Sequence, residues 1–282
     1  MKLLRNQTLR NLIPPKLKGL YAEHVYLLRR VHNRSPYGNV YHCCVHKTGS
    51  QWLRKIFSDG QTYAYSGLRP FHYQSKLKDG DQRDIKDRTF QEAFPKGTIV
   101  SPLYINYERF QELPKPPKYR AVFVFRDPRD VLVSWYFSTR YSHPGKSRDP
   151  HREKLNELSL NDGMAYGIDL LRERGLFAAL ESWKGAEQRD PNVLFVRYEE
   201  LIGPRSQAEF QRFFEHAGIR FPEAVLRELL KKYSFESQSG RQPGEEDQGS
   251  KMRKGVAGDW RNYFDDRLSQ KFAEAAGEAA HA

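Results

Sequence analysis

Two corners of this chain carry residues suited to holding anions. The first is Val45-His46-Lys47-Thr48-Gly49-Ser50-Gln51-Trp52. An apolar run ending at Val45 reads as a buried strand, and Trp52-Leu53-Arg54-Lys55-Ile56-Phe57 picks up a helical period. A strand, a small polar loop and a helix N-terminus make a phosphate cradle, because the unpaired N–H groups of the first turn and the helix dipole favour an anion there. Gly49 allows close backbone approach, Thr48 and Ser50 add donors, and Lys47 adds a mobile positive charge. This is not a Walker A loop, whose lysine follows its second glycine; here Lys47 precedes the only glycine. The plain alternative is a surface turn.

The second corner follows the apolar run Arg120–Phe125. In Arg126-Asp127-Pro128-Arg129-Asp130, Asp127 suits a helix N-cap, Pro128 the first helical position and Asp130 the acidic first turn. The helix runs on through Val131–Phe137, so a cation again sits where a strand meets a helix. A third basic stretch closes Gly240–Gly258. That segment is rich in Gly, Gln and charge, too polar for core and too long for a simple turn, which points to a lid or a cofactor loop.

The elements that must position these corners alternate along the chain. Residues 1–38 read as a basic amphipathic helical extension packed on the domain, with Leu17, Tyr21, Val25 and Leu28 on one face. A peripheral membrane contact is the sharper reading of that face. Residues 39–282 read as a single domain. Thr62–Tyr65 is the expected second strand, Thr98–Val100 a short third, and Asn192–Tyr198 a later one. Residues 75–90 read as a solvated charged stretch, 140–157 as a polar loop, Gly163–Trp183 as one long helix, and 206–217 and 222–232 as further helices. The alternation predicts an α/β fold with a mostly parallel central sheet flanked by helices, in which ligands bind at the carboxyl ends of the strands.

Bulk properties narrow the partners. The 282 residues carry a formal charge of +12, spread along the chain rather than gathered in a tail. That balance suits a polyanionic ligand, nucleic acid or an anionic surface. No apolar run is long enough to span a membrane, and the first residues are too polar for a secretory signal. The two cysteines are adjacent on a strand and point apart, so a mutual disulfide is not expected and a reducing, cytoplasmic setting is.

Several stretches together resemble one family, the sulfotransferases that use 3′-phosphoadenosine 5′-phosphosulfate, over about residues 40–265. His46–Trp52 resembles the family's 5′-phosphosulfate loop, usually Pro-Lys-Ser-Gly-Thr-Thr-Trp. Arg126–Ser134 resembles its 3′-phosphate motif, with Arg and Ser eight positions apart. Tyr198-Glu199-Glu200-Leu201 resembles the Tyr-Glu-Asp-Leu segment, and Ser234-Phe235-Glu236 a cofactor-contacting one. Arg253-Lys254-Gly255-Val256-Ala257-Gly258-Asp259-Trp260 is similar nearly letter for letter to the C-terminal Arg-Lys-Gly-x-x-Gly-Asp-Trp element. The resemblance implies a P-loop-like architecture and no metal. It also implies that Lys47 and Thr48, Gly49, Ser50 and Gln51 hold the phosphosulfate. Trp52 and Phe235 would flank the adenine with Tyr198 nearby, and Arg126, Ser134, Arg253, Lys254 and Gly255 would hold the 3′-phosphate. Lys47 would act on the leaving phosphate. The acceptor would be a small molecule, lipid or carbohydrate, with no nucleic acid partner.

Two departures from the family stand out. Its catalytic histidine belongs to a Lys-x-His-Leu stretch on the third strand, but here Val100-Ser101-Pro102-Leu103-Tyr104 has none. His72, following the second strand, is the expected base, as the acid-base residue of carbohydrate sulfotransferases is; Glu108 and Tyr104 come next, while His46 replaces a loop proline and shapes the loop. The family's dimerisation stretch is not recognisable after Trp260, which leaves the oligomeric state open. The competing readings are a P-loop-type nucleotide kinase, disfavoured by the missing Walker lysine, and a nucleic-acid or anionic-surface binder resting on charge alone.

Overall fold

The computed structural model describes Tyr26, residues 30–77, Asp81, residues 83–142 and residues 149–277. Most of the expected N-terminal helix lies outside the described residues. The stretch that follows it is tied to the domain: the Tyr26 hydroxyl donates to the Ser58 carbonyl and the Ser35 hydroxyl to the Ala217 carbonyl, both at 2.8 Å.

Five strands form one sheet: β1 (Asn39–Cys44), β2 (Arg69–Phe71), β3 (Thr98–Tyr104), β4 (Tyr119–Phe125) and β5 (Val193–Arg197). Their order is β2-β3-β1-β4-β5, and every neighbouring pair is parallel. The strands read as continuous apolar runs because both faces are covered. In β4, Ala121, Phe123 and Phe125 enter one core while Val122 and Val124 enter the other. The chain runs from central β1 first to one side of the sheet and then to the other. The carboxyl ends of β1, β3 and β4 therefore border the crevice where such sheets bind ligands.

Several local expectations are corrected. Thr62–Tyr65 is not a strand, since Gly60–Ala64 is helical. The Asp59 carboxylate accepts from Gln61 N at 2.7 Å and the Thr62 hydroxyl donates to the Ile56 carbonyl, so local capping outweighs four residues of alternation. The second strand is Arg69–Phe71, and the third runs on to Tyr104. Within 140–157, the helix Pro128–Tyr141 continues, and a further helix, Pro150–Glu157, starts at Asp149, whose side chain accepts from His151 N. The single helix expected over Gly163–Trp183 is two, Leu160–Glu173 and Leu176–Ser182, parted where Gly175 takes φ 75°. Among the described residues no helix is long and apolar enough to cross a membrane.

Candidate active site

The first corner forms where β1 ends at Cys44 and the helix Ser50–Phe57 begins. Gly49 is left-handed at φ 76°, and a Cβ there would lie 2.6 Å from the Tyr198 ring. Only glycine lets this turn close against that tyrosine. Thr48 does not face a ligand with its hydroxyl: it is buried, and Oγ1 donates to the Val45 carbonyl at 2.9 Å. Ser50 Oγ shares a hydrogen bond with Tyr104 Oη at 2.8 Å, and Gln51 Nε2 donates to the same phenolic oxygen at 3.2 Å. The end of β3 thus braces the loop.

The second corner is pinned from several directions. The Asp127 side chain accepts from Arg129 N at 2.9 Å, capping Pro128–Tyr141, and Glu199 accepts from Asp127 N at 2.9 Å. Glu199 belongs to the helix Tyr198–Ile202, directly after β5. Arg126 Nη1 donates to the Lys47 carbonyl at 3.0 Å, and its guanidinium lies 4.7 Å from the Tyr198 ring centroid. Its Nε is buried and has no hydrogen-bond partner among the described residues. An orphaned guanidinium N–H is costly to bury, and an anion beside it removes the cost.

The C-terminal basic stretch is delivered by two carboxylates. Asp130, buried at the start of the second corner's helix, accepts from Gly258 N at 2.6 Å and Trp260 N at 2.9 Å. Asp259 pairs with both Arg253 and Lys254, the latter at 2.6 Å. Gly255 has φ 68° and would drive a Cβ to 2.4 Å from the Phe235 ring, so that ring packs against bare backbone.

These pieces meet in one cavity of about 1150 Å³, lined by Lys47, Gly49 to Trp52, Arg126, Ser134, Tyr198, Phe235 and Arg253 to Gly255. The backbone cradle, the orphaned Arg126 Nε and the paired cations fit a nucleotide with two separate anionic ends. The aromatic side of the cavity is ordered by Trp52, whose Nε1 donates to the Tyr233 carbonyl at 2.7 Å and whose ring meets Tyr198 edge-on at 6.2 Å. Burial lowers the Lys47 pKa to about 8, assisted by the nearby charges of Arg126 and Lys251.

Thr48, His72 and Glu108 are the candidate site residues of the sequence reading that do not line this cavity. His72 follows β2 as expected, but its Nδ1 takes a hydrogen bond from Arg54 Nη1 at 3.1 Å, and its Nε2 is buried without a partner among the described residues. A guanidinium only donates, so the Nδ1 lone pair is occupied. Burial and then Arg54 lower the His72 pKa to about 4. Tyr104 lines the cavity, whereas Glu108 lines a separate surface hollow beside Gln111 and Arg189.

Sequence reasoning missed the group around His46. Arg88, in a stretch expected to be solvated, is 3% exposed. Its Nη2 donates to His46 Nε2 at 3.1 Å and its Nε to the Arg83 carbonyl at 3.0 Å. The His46 ring stacks on Tyr104 at 4.0 Å. Burial, then Arg88 and Lys47, hold the His46 pKa down to about 3. A charge run gives no sign that one of its members turns inward; the histidine in place of the loop proline was the available signal.

A family model described as the sulfotransferase domain matches residues 40–282. Cytosolic sulfotransferase 12 of Arabidopsis thaliana is 31% identical over 247 residues, covering 81% of this chain and 72% of that protein. Sulfotransferase 2B1 of Mus musculus is 25% identical over 230 residues, covering 73% of this chain and 65% of that one. The chain thus spans a little under two thirds of the mouse relative's length. The crystal structure of mouse sulfotransferase SULT7A1 complexed with PAP has a similar fold, with a TM-score of 0.57 at 22% identity over 89% of this chain and 87% of that chain.

Proposed function

The chain belongs to the sulfotransferase family, and from that premise we propose how its own residues transfer a sulfuryl group to a hydroxyl or amine. When bound, 3′-phosphoadenosine 5′-phosphosulfate supplies the group: its sulfur–oxygen bond to the phosphate breaks, the acceptor atom bonds to sulfur and loses its proton to solvent, and adenosine 3′,5′-bisphosphate departs. The Lys47 loop holds the 5′ end, Arg126 with Ser134 and the Arg253–Gly255 backbone holds the 3′ end, and Trp52 and Phe235 face the base. Lys47 is the mobile cation at the loop, suited to the bridging oxygen as negative charge develops there. The observation that carries this reading is the cavity itself, which unites both cationic corners through the Arg126–Lys47 contact.

No dedicated base is assigned. Three titratable lining groups are engaged: Arg88 fills the His46 lone pair, Ser50 and Gln51 bond the Tyr104 hydroxyl, and Arg83 holds the Asp81 carboxylate. A loose transition state of the phosphoryl-transfer kind places most charge on the leaving side, so late proton loss suffices.

Thermal unfolding with added ligands tests the class. Adenosine 3′,5′-bisphosphate at a hundredfold excess over its dissociation constant should add about 2.7 kcal/mol of stability. Stabilisation by ATP or an oligonucleotide and none by the bisphosphate would overturn the reading in favour of a kinase or a nucleic-acid binder.

A further inference from the structure

Part of the cavity has no role toward the nucleotide. Trp135, Leu171 and Leu176 give it a buried apolar wall. Beside that wall the lining is charged, with Arg83, Arg88, Arg174 and Lys251 against Asp81 and Asp84. The arginines are already matched. Arg83 and Arg88 pair with Asp81, and Arg174 pairs with Asp84 at 3.6 Å. Lys251 is different: it is exposed, and among the described residues no hydrogen bond or ion pair engages its ammonium. It lies in the segment that the Asp130 carboxylate docks, two residues before Arg253, and it lines the same cavity as Lys47. Its charge also contributes to the lowered Lys47 pKa, which places the two cations within reach of each other's field.

Two cations that feel one another's charge in one cavity disfavour each other until an anion arrives. The nucleotide's two ends already have their own cations at the two corners. A neutral phenol or alcohol would leave Lys251 unmatched at the mouth of a half-apolar site. We propose that the acceptor of this site is a hydroxyl compound with an apolar body and its own anionic group, a carboxylate, phosphate or sulfate ester, and that the Lys251 ammonium receives that group. This rests on the reading of the cavity as a sulfuryl-transfer site. Trp135, Leu171 and Leu176 take the body, and Lys251 fixes which end faces Lys47.

Matched acceptors test it. Sulfate transfer is measured with para-hydroxyphenylacetate beside its methyl ester, and with hydroquinone monophosphate and monosulfate beside hydroquinone monomethyl ether. The pairs separate the three anion sources. The wild-type kcat/KM should favour at least one anionic member by about tenfold or more, the scale of one charged hydrogen bond. Lys251→Gln should bring that ratio close to one, Lys251→Arg should restore it, and at about pH 7, where Lys47 is an ammonium in all three proteins, both variants should bind adenosine 3′,5′-bisphosphate as the wild type does. Absence of any anionic preference in a wild-type protein that binds the bisphosphate overturns the proposal. So does a Lys251→Gln protein that keeps the preference, or one that loses bisphosphate affinity instead, since Lys251 would then belong to the nucleotide. A wild-type protein that fails to bind the bisphosphate overturns the underlying reading along with it.

Discussion

The Arg126 guanidinium donates to the carbonyl oxygen of Lys47 at 3.0 Å, and Lys47 is, among the described residues, the one non-glycine residue held at positive φ, at 71°. The two facts belong together. A side chain in the left-handed region is strained, by about 1–2 kcal/mol for an ordinary residue. The conformation persists because its carbonyl is held from β4's end while β1 sits fixed between β3 and β4. The arginine read as belonging to the 3′-phosphate thereby shapes the loop read as holding the 5′ end.

Stability and turnover should therefore move in opposite directions at Lys47. Lys47→Gly relieves the backbone strain and should leave the fold unchanged or raise its stability by up to about 1 kcal/mol. The same change removes the cation proposed to act on the leaving group and should lower kcat by on the order of a hundredfold or more. Lys47→Ala should show the same loss of turnover without the gain in stability. Denaturant unfolding beside steady-state kinetics checks both, and near-wild-type turnover in either folded variant would remove Lys47 from the chemistry.

The pH dependence follows from the same ammonium. Burial, Arg126 and Lys251 lower its pKa to about 8, so the charged form that the proposed role at the leaving oxygen requires predominates below that pH and is lost above it. The kcat/KM for the nucleotide reports the free enzyme, and should be level below about 8 and fall about tenfold per pH unit above it. In the kcat profile the bound anion favours the ammonium, and the limb moves to higher pH. Lys251→Gln removes a like charge, which raises the Lys47 pKa and should carry the kcat/KM limb upward as well. A limb that stays in place in this variant would assign the titration to another group.

His72→Ala separates two views of proton removal. A general base supplies about a hundredfold or more in rate. The His72 Nδ1 is occupied by Arg54, and the ring does not line the cavity, so the variant should lose far less than that. Its measurable effect should instead be a modest one on stability, through the half-buried contact with Arg54. A His72→Ala protein that binds the bisphosphate normally but loses most turnover would restore the histidine as base and require this loop to move during catalysis.

The parts of the site legible in the sequence are those where short-range rules apply. β4 announced itself as an apolar run ending at Phe125 and followed by Arg126, and Asp127-Pro128 marked the helix start after it, as the capping bond to Arg129 N bears out. The Arg253–Trp260 stretch was recognisable as a motif before its docking partner was visible. Long-range pairings were not legible. Asp130 read as an acid in a first helical turn, yet its carboxylate accepts from backbone N–H groups 128 and 130 residues away. Arg88 read as one charge in a solvated run, yet it is buried against His46 and Tyr104. Short elements failed where a local cap competed with alternation: the Asp59 side chain, accepting from Gln61 N, made Gly60–Ala64 a helix, although the alternation in Thr62–Tyr65 suits a strand.

Asp130 is the more exposing test of how the C-terminal segment works. Its carboxylate holds Gly258 N and Trp260 N, and through them the turn carrying Asp259, which in turn pairs with Arg253 and Lys254. The loop before it folds back on itself, with Gly244 N donating to the Lys254 carbonyl at 2.8 Å and Asp247 N to the Arg253 carbonyl at 2.9 Å. Asp130→Ala leaves two backbone donors without their acceptor, at a cost of about 1–3 kcal/mol each where they stay buried. Asp130→Asn keeps one oxygen and should lose less. If Asp130 positions the clamp, the KM for the nucleotide should rise in the order wild type, Asn, Ala, by more than any fall in kcat at saturation. Protease nicking within Gly240–Gly258 should be slowed by adenosine 3′,5′-bisphosphate in the wild type and should become faster and less ligand-sensitive in Asp130→Ala. Equal nicking with and without the bisphosphate in the wild type would mean that this segment does not close over the nucleotide. An unchanged KM in a destabilised Asp130→Ala protein would make the aspartate a purely structural tie.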